Sequence, residues 1–214
     1  MKRTALVAGA TGLVGYSLLQ RLLRDPAYGQ VRALSRRPLG LRHDQLQLVQ
    51  TDFRNLVALG DALQAQDVFC CLGTTRRKAG SRAAFEDVDY RMVVELAQAT
   101  RAAGAHQFIV VSAVGASRHA AAFYSRVKGR MEAAVSALGF DAVHIVRPSL
   151  LLGERGELRP GEALAQRLAP AISPLLVGPL KRYRPVDADE VGEAMVRIAL
   201  GGQAGVHVHH LPLA

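Results

Sequence analysis

Tryptophan is absent from the 214-residue chain, cysteine occurs twice, and aromatic residues make up only 5% of it. Each shortage excludes something. Cys70 and Cys71 are adjacent in an apolar run, so they cannot build a disulfide framework, and thiols kept reduced point to a cytoplasmic protein. No window reaches about 18 uninterrupted apolar residues, so no membrane-spanning helix is expected. Lys2 and Arg3 stand before an apolar stretch in the manner of a signal peptide, but three glycines and a threonine interrupt that stretch. Acidic residues are also in deficit, 18 against 27 lysines and arginines, for a net charge of +9. That balance favours anionic partners. The few aromatics, and the lack of a helix-turn-helix or zinc pattern, argue against specific nucleic-acid binding. What remains is a globular composition, half hydrophobic and without low-complexity tracts, long enough for one large core over residues 1–214.

The most informative stretch is Thr4 to Leu23, TALVAGATGLVGYSLLQRLL. Thr4 to Ala8 suits a buried strand. Gly9, Gly12 and Gly15 follow at three-residue spacing, and Leu18, Leu19, Leu22 and Leu23 then recur with helical period. Strand, glycine loop and helix make half of a dinucleotide-binding βαβ unit. The glycines let the backbone turn and approach a pyrophosphate, and the helix presents its N-terminal N–H groups to that anion. Glycines at this spacing also serve plain tight turns, so the context on either side carries the reading.

Further strands are expected at Val31–Ser35, Leu46–Gln50, Asp67–Leu72, Phe108–Ser112 and Asp141–Val146, with helices at Asn55–Gln64, Ala83–Ala103 and Phe123–Leu138. Six strands separated by helices, with no repeat or linker, predict an α/β protein: one Rossmann-type, three-layer, doubly wound parallel sheet in a single domain. The second strand ends in Ser35-Arg36-Arg37-Pro38. An acid at that place accepts hydrogen bonds from a free ribose 2′-hydroxyl, whereas arginine favours a 2′-phosphate, so Arg36 and Arg37 predict NADP(H) over NAD(H). For Asp52 two readings stand, contact with an adenine amino group and capping of the following helix. Gly73 falls at the carboxyl end of a central strand, where ligands bind in open α/β sheets.

Most of the nine prolines fall between Pro148 and Pro185. This segment predicts a lid or substrate-covering region, with Arg147, Arg155 and Arg159 available to hold an anion or to face water. Asp187–Leu200 is expected as a last amphipathic helix and Val206–His209 as a closing strand. His207, His209 and His210 have no carboxylate or cysteine beside them, so they predict alternate solvent-facing histidines and no metal site.

Tyr124 and Lys128 in YSRVK lie four apart and share a helix face. A tyrosine hydroxyl has a pKa of about 10 and is a poor acid–base group at neutral pH. A lysine ammonium one turn away favours the phenolate. Such a tyrosine can pass a proton to a carbonyl oxygen as hydride reaches carbon, or reverse the step. The lysine can also hold cofactor ribose hydroxyls.

With GATGLVG near the N-terminus and YSRVK after the fifth strand, the chain resembles the short-chain dehydrogenase/reductase superfamily in its atypical branch. CLGTTRRKAG, VDYRMVVELA, YSRVKGRMEA and FDAVHIVRPSLLLGERGELRPGE resemble the Tat-interacting-protein-like oxidoreductases through nearly the whole chain. That resemblance implies NADP(H) binding and oxidoreductase chemistry on a small carbonyl or hydroxyl substrate. It places backbone from Thr11 through Gly12 and Leu13 to Val14 at the pyrophosphate, Arg36 at the 2′-phosphate and Asp52 near adenine. Leu72 and Gly73 fall along the ribose and Pro148 along the nicotinamide, with Tyr124 and Lys128 in the catalytic positions. One departure stands out. The superfamily usually places a serine or threonine after the fifth strand to hold the substrate oxygen, and this chain has Ser112-Ala113. Ser112 is the candidate orienter. If the working position is the alanine, a non-catalytic NADP(H)-binding regulatory or protein-interaction role is the alternative.

Overall fold

The computed structural model describes residues 2–149, 151–152 and 183–211. Its centre is β1 (Arg3–Ala8), flanked by β2 (Tyr28–Ser35) and β4 (Asp67–Cys70). With β3 (Leu46–Gln50), β5 (Gln107–Val111), β6 (Ala142–Arg147) and β9 (Gly205–His210), these form a seven-stranded sheet of order β3-β2-β1-β4-β5-β6-β9. Every neighbouring pair is parallel. A second, two-stranded piece pairs β7 (Leu151–Leu152) with β8 (Val186–Asp187).

The apolar runs of the central strands follow from burial on both faces. In β1, Ala5 and Val7 face one core with α1 (Leu13–Arg24) and α6 (Ala188–Leu200). Leu6 and Ala8 face the other, with α4 (Met92–Ala102) and α5 (Phe123–Ser136). Leu18, Leu19, Leu22 and Leu23 are buried on α1 as their spacing predicts, as are Val93, Leu96, Ala97 and Thr100 on α4. The result is the three-layer Rossmann-type fold. The strand order reverses at β1, whose neighbours are β2 and β4, and this opens a crevice at their carboxyl ends.

Several elements differ from expectation for local reasons. The helix expected over Asn55–Gln64 is a 3-10 segment at Val57–Leu63, broken where Gly60 takes a positive φ of 52°. Asp52 does not cap it; its carboxylate accepts the Arg54 N–H at 3.0 Å in a local turn. The long helix expected over Ala83–Ala103 is divided into α3 (Arg82–Glu86), a π-helical turn at Asp87–Arg91, and α4, and a separate short helix, α2 (Arg76–Ala79), stands before it. β4 stops at Cys70, two residues short of Leu72.

The solvent-facing placement expected for His207 and His209 is reversed. His207 lies beside His144 in the ladder, with ring centres 5.4 Å apart, and His209 Nε2 meets His144 Nδ1 at 3.1 Å. Val206 and Val208 stand in register with Val143 and Ile145 on the opposite face and are 52% and 46% exposed at this edge of the sheet. Leu150 and residues 153–182, which hold most of the expected substrate-covering region at 148–185 together with Arg155 and Arg159, lie outside the described residues.

Candidate active site

The crevice is lined first by the loop between β1 and α1. Gly9 has φ +88°, and a Cβ there would meet the Cys71 carbonyl carbon and oxygen at 2.6 Å. A Cβ on Gly15 would overlap the Gly9 carbonyl oxygen. Gly12 N–H donates to that oxygen at 3.0 Å, closing the turn. Helix α1 then begins with no side-chain cap and no acid in its first turn. Its first N–H groups are therefore available to an anion, which the helix dipole favours. Thr11 and Gly12 are exposed, Leu13 is half-buried and Val14 is buried. The cradle fits a dinucleotide pyrophosphate, since glycine is required where the backbone must approach closely.

At the end of β2, buried Ser35 bonds the Arg37 backbone, donating to its carbonyl at 2.7 Å. The Arg36 and Arg37 side chains project to solvent. Neither has an acidic partner among the described residues. Exposed Asp52 follows the neighbouring strand β3, whose Gln50 amide reaches the Arg36 carbonyl at 3.4 Å.

Beyond β4, half-buried Leu72 and exposed Gly73 lead to a buried charged cluster. Lys128 Nζ lies 2.8 Å from Asp89 Oδ1, with the two side chains 4% and 1% exposed. Nζ also approaches the Val111 carbonyl at 3.4 Å. The other Asp89 oxygen accepts the Thr74 N–H at 2.7 Å. A Cβ on Gly73 would stand 3.4 Å from Asp89 Oδ1 and 3.9 Å from Lys128 Nζ, so both charges border the backbone there. Burial pulls the Lys128 pKa down, and attraction to Asp89 and Tyr124 outweighs it, leaving it above the ordinary lysine value. The ammonium is thus held charged in a dry place. One turn earlier on α5, Tyr124 is 38% exposed and its ring packs on Phe85 at 5.6 Å.

Ser112 sits just past β5, 4% exposed, and its hydroxyl donates to Glu132 at 2.5 Å. Arg147 donates to the same carboxylate at 2.9 and 2.5 Å. Arg147, expected to hold an anion or face water, is therefore spent on Glu132. Buried Pro148 follows it, with its carbonyl accepting the Val114 N–H at 3.0 Å.

Sequence reasoning missed Asp89 and Glu132. The signal was present in the spacing. Asp89 precedes Val93 by four, and Glu132 follows Lys128 by four, so each acid stands on an inward helical stripe. A separate surface cleft between α1 and α6 has Arg21 already paired to Asp189 and Glu193 and no convergent reactive group.

Glycine cradle, switch point and buried lysine together define a nucleotide-binding Rossmann protein built on short-chain dehydrogenase/reductase lines. Residues 9–167 match the model of the NAD(P)H-binding family. The chain belongs to that family, and within it to the atypical short-chain dehydrogenase/reductases of the Tat-interacting-protein-like group. It is 38% identical over 169 residues to Protein HTATIP2 of Rattus norvegicus, covering 77% of this chain and 69% of the relative. It is 35% identical over 207 residues to the mitochondrial protein fmp52 of Aspergillus fumigatus, covering 94% and 88%. Among solved structures, MoeE5 in complex with UDP-glucuronic acid and NAD superposes with a TM-score of 0.72 at 20% identity, over 96% of this chain and 75% of that one. WbmH of Bordetella bronchiseptica in complex with NAD+ gives 0.71 at 15%, over 100% and 77%. At such identities these likenesses establish the fold.

The comparisons correct the expectation of a cytoplasmic protein. Relatives from Aspergillus fumigatus, Candida glabrata and Aspergillus clavatus, 34–35% identical over 93–96% of the chain, are named mitochondrial. Two free thiols report only that an environment is reducing, and that does not select the cytoplasm. No helix among the described residues is long and apolar enough to cross a membrane.

Proposed function

We propose that this protein is an NADP(H)-dependent oxidoreductase that moves hydride between the cofactor and a small carbonyl or hydroxyl substrate, with Tyr124 as the acid–base group. The observation that carries this reading is the buried Lys128 ammonium one helical turn from the exposed Tyr124, beside Gly73 at the carboxyl end of the sheet. Bound NADPH supplies the hydride. Tyr124 gives its hydroxyl proton to the substrate oxygen as hydride reaches carbon, and takes it back in the oxidation direction. Lys128 favours the phenolate that this leaves and holds ribose hydroxyls. Gly9, Gly12 and Gly15, with backbone from Thr11 to Val14, hold the pyrophosphate. Arg36 and Arg37 take the 2′-phosphate, supported by β2 ending in a serine with no acid to repel it. Asp52 lies along the adenine, Leu72 and Gly73 along the ribose, and Pro148 along the nicotinamide.

One observation favours a second reading, a non-catalytic NADP(H)-binding protein that regulates a partner. Ser112, the candidate substrate orienter, spends its hydroxyl on Glu132, and Ala113 beside it has none. Titration with NADPH and NADH, read by cofactor fluorescence, tests what both readings share. The expected result is micromolar NADPH binding and far weaker NADH binding; no binding of either removes both. A Tyr124→Phe variant separates them. Loss of carbonyl turnover with NADPH affinity kept supports catalysis, and unchanged turnover ends it.

A further inference from the structure

The segment after Gly73 carries Arg76, Arg77 and Lys78 on α2 and Arg82 at the start of α3. All four side chains are exposed. None has an acidic partner among the described residues. The acids next along the chain are taken by other arginines: Glu86 binds Arg130 at 3.0 Å, and Asp87 binds Arg91 at 2.5 Å.

Two of the four cations are held in place. The guanidinium carbons of Arg76 and Arg82 lie 5.9 and 5.2 Å from the centre of the Phe123 ring. Phe123 immediately precedes Tyr124, and Phe85 packs on both rings, at 5.7 and 5.6 Å. One aromatic cluster therefore carries the Tyr124 phenol and two guanidiniums over the Phe123 ring. A cation–π contact restrains a guanidinium without using its N–H donors, which stay available for bidentate bonds to a carboxylate or phosphate.

We propose that Arg76 and Arg82 bind an anionic group of the substrate, a carboxylate or a phosphate, which makes the substrate an acidic carbonyl compound or its alcohol. The inference rests on the oxidoreductase reading of Tyr124 and names the substrate class for that site. Arg77 and Lys78 add local positive potential that attracts the anion.

The test is calorimetric titration of the full chain, with and without saturating NADP+, which has no hydride to give to the aldehyde probes, using matched pairs. Succinate semialdehyde against butanal differs by a carboxylate, and glycolaldehyde phosphate against glycolaldehyde differs by a phosphate. The expected result is that at least one anionic member binds about tenfold or more tightly than its neutral counterpart. The Arg76→Ala/Arg82→Ala double variant then loses that margin while its NADPH affinity stays within about twofold. Equal binding of charged and neutral members overturns the proposal, as does a margin the double variant keeps. Loss of NADPH affinity in that variant also overturns it, because the arginines then serve the cofactor. A chain that binds no NADPH at all removes the oxidoreductase reading instead, and the cofactor-free titrations still decide whether the anion site exists.

Discussion

Asp89 and Lys128 form an ion pair at 2.8 Å with both side chains nearly closed off from water. Neither charge is tolerable there alone. Asp89 also receives the Thr74 N–H, so one carboxylate ties the loop after β4 to the helix that carries Tyr124. The site's electrostatics and its loop geometry therefore depend on the same residue.

Asp89→Ala is expected to destabilise the fold by about 3–5 kcal/mol, since it strands a buried ammonium. The Asp89→Ala/Lys128→Met pair is expected to recover much of that loss, because no unpaired charge remains. Urea denaturation of the two variants checks the order. A single variant as stable as the parent contradicts the pairing. The linkage has a definite sign. A lysine whose folded pKa lies above its unfolded value of about 10.4 contributes stability that is complete below that pH and is lost as pH climbs through the folded value. The contribution from the Lys128 charge is therefore lost in the strongly alkaline range.

Gly15→Ala is expected to cost about 1–3 kcal/mol or more and to abolish NADPH binding. Its methyl group would overlap the Gly9 carbonyl, which is rigid backbone within the cradle. Thermal unfolding followed by cofactor titration checks both effects. Gly40→Ala is the contrasting control for the overlap argument, since nothing lies within 4 Å of that position and its strain comes instead from a φ of +65°, which Gly15 does not share. It should lose some stability and keep cofactor affinity.

The fold was legible because its signals are local and repeated. Each central strand is an apolar run buried on both faces, and each covering helix carries a leucine or valine stripe, as in Leu18, Leu19 and Leu22. What the sequence concealed depends on pairing across distance. Asp89 and Lys128 are 39 positions apart, and Ser112, Glu132 and Arg147 come from three different elements. No local pattern says that Glu132 will claim the Ser112 hydroxyl. The histidines of β9 were misread for a related reason. Strict alternation assigns two faces to a strand, but only the register of β9 against β6, which sets His207 beside His144 and His209 beside Val146, decides which face each residue takes.

That histidine group sets an acid limit. Burial lowers the His144 pKa to about 4, with His209 and His207 adding to the effect. A depressed histidine stabilises the fold above its unfolded value of about 6.5 and loses that contribution as pH falls toward the folded value. Unfolding free energies from urea titration are expected to decline between about pH 6.5 and pH 4, by on the order of 2–3 kcal/mol in total. Asp87 and Asp189, held low by Arg91 and Arg21, act only below that window. His144→Gln should flatten the decline. A parent protein equally stable across the window rules the coupling out.

Ser112 and Glu132 decide between a structural serine and a catalytic one. A buried hydroxyl bonded to a carboxylate contributes about 1.5–3 kcal/mol, so Ser112→Ala is expected to lower stability by that order. Glu132→Ala should cost more, about 3–5 kcal/mol, because Arg147 then loses both of its bonds to the carboxylate. With the Ser112 hydroxyl committed to Glu132, the carbonyl turnover proposed for Tyr124 should change less than about tenfold in Ser112→Ala. Removing a donor that polarises the substrate oxygen costs about a hundredfold or more. Denaturation curves and turnover measured on the same preparations separate the two. A large fall in turnover with little loss of stability means that the serine leaves Glu132 when substrate binds, and that Glu132 is then a holder for the resting side chain.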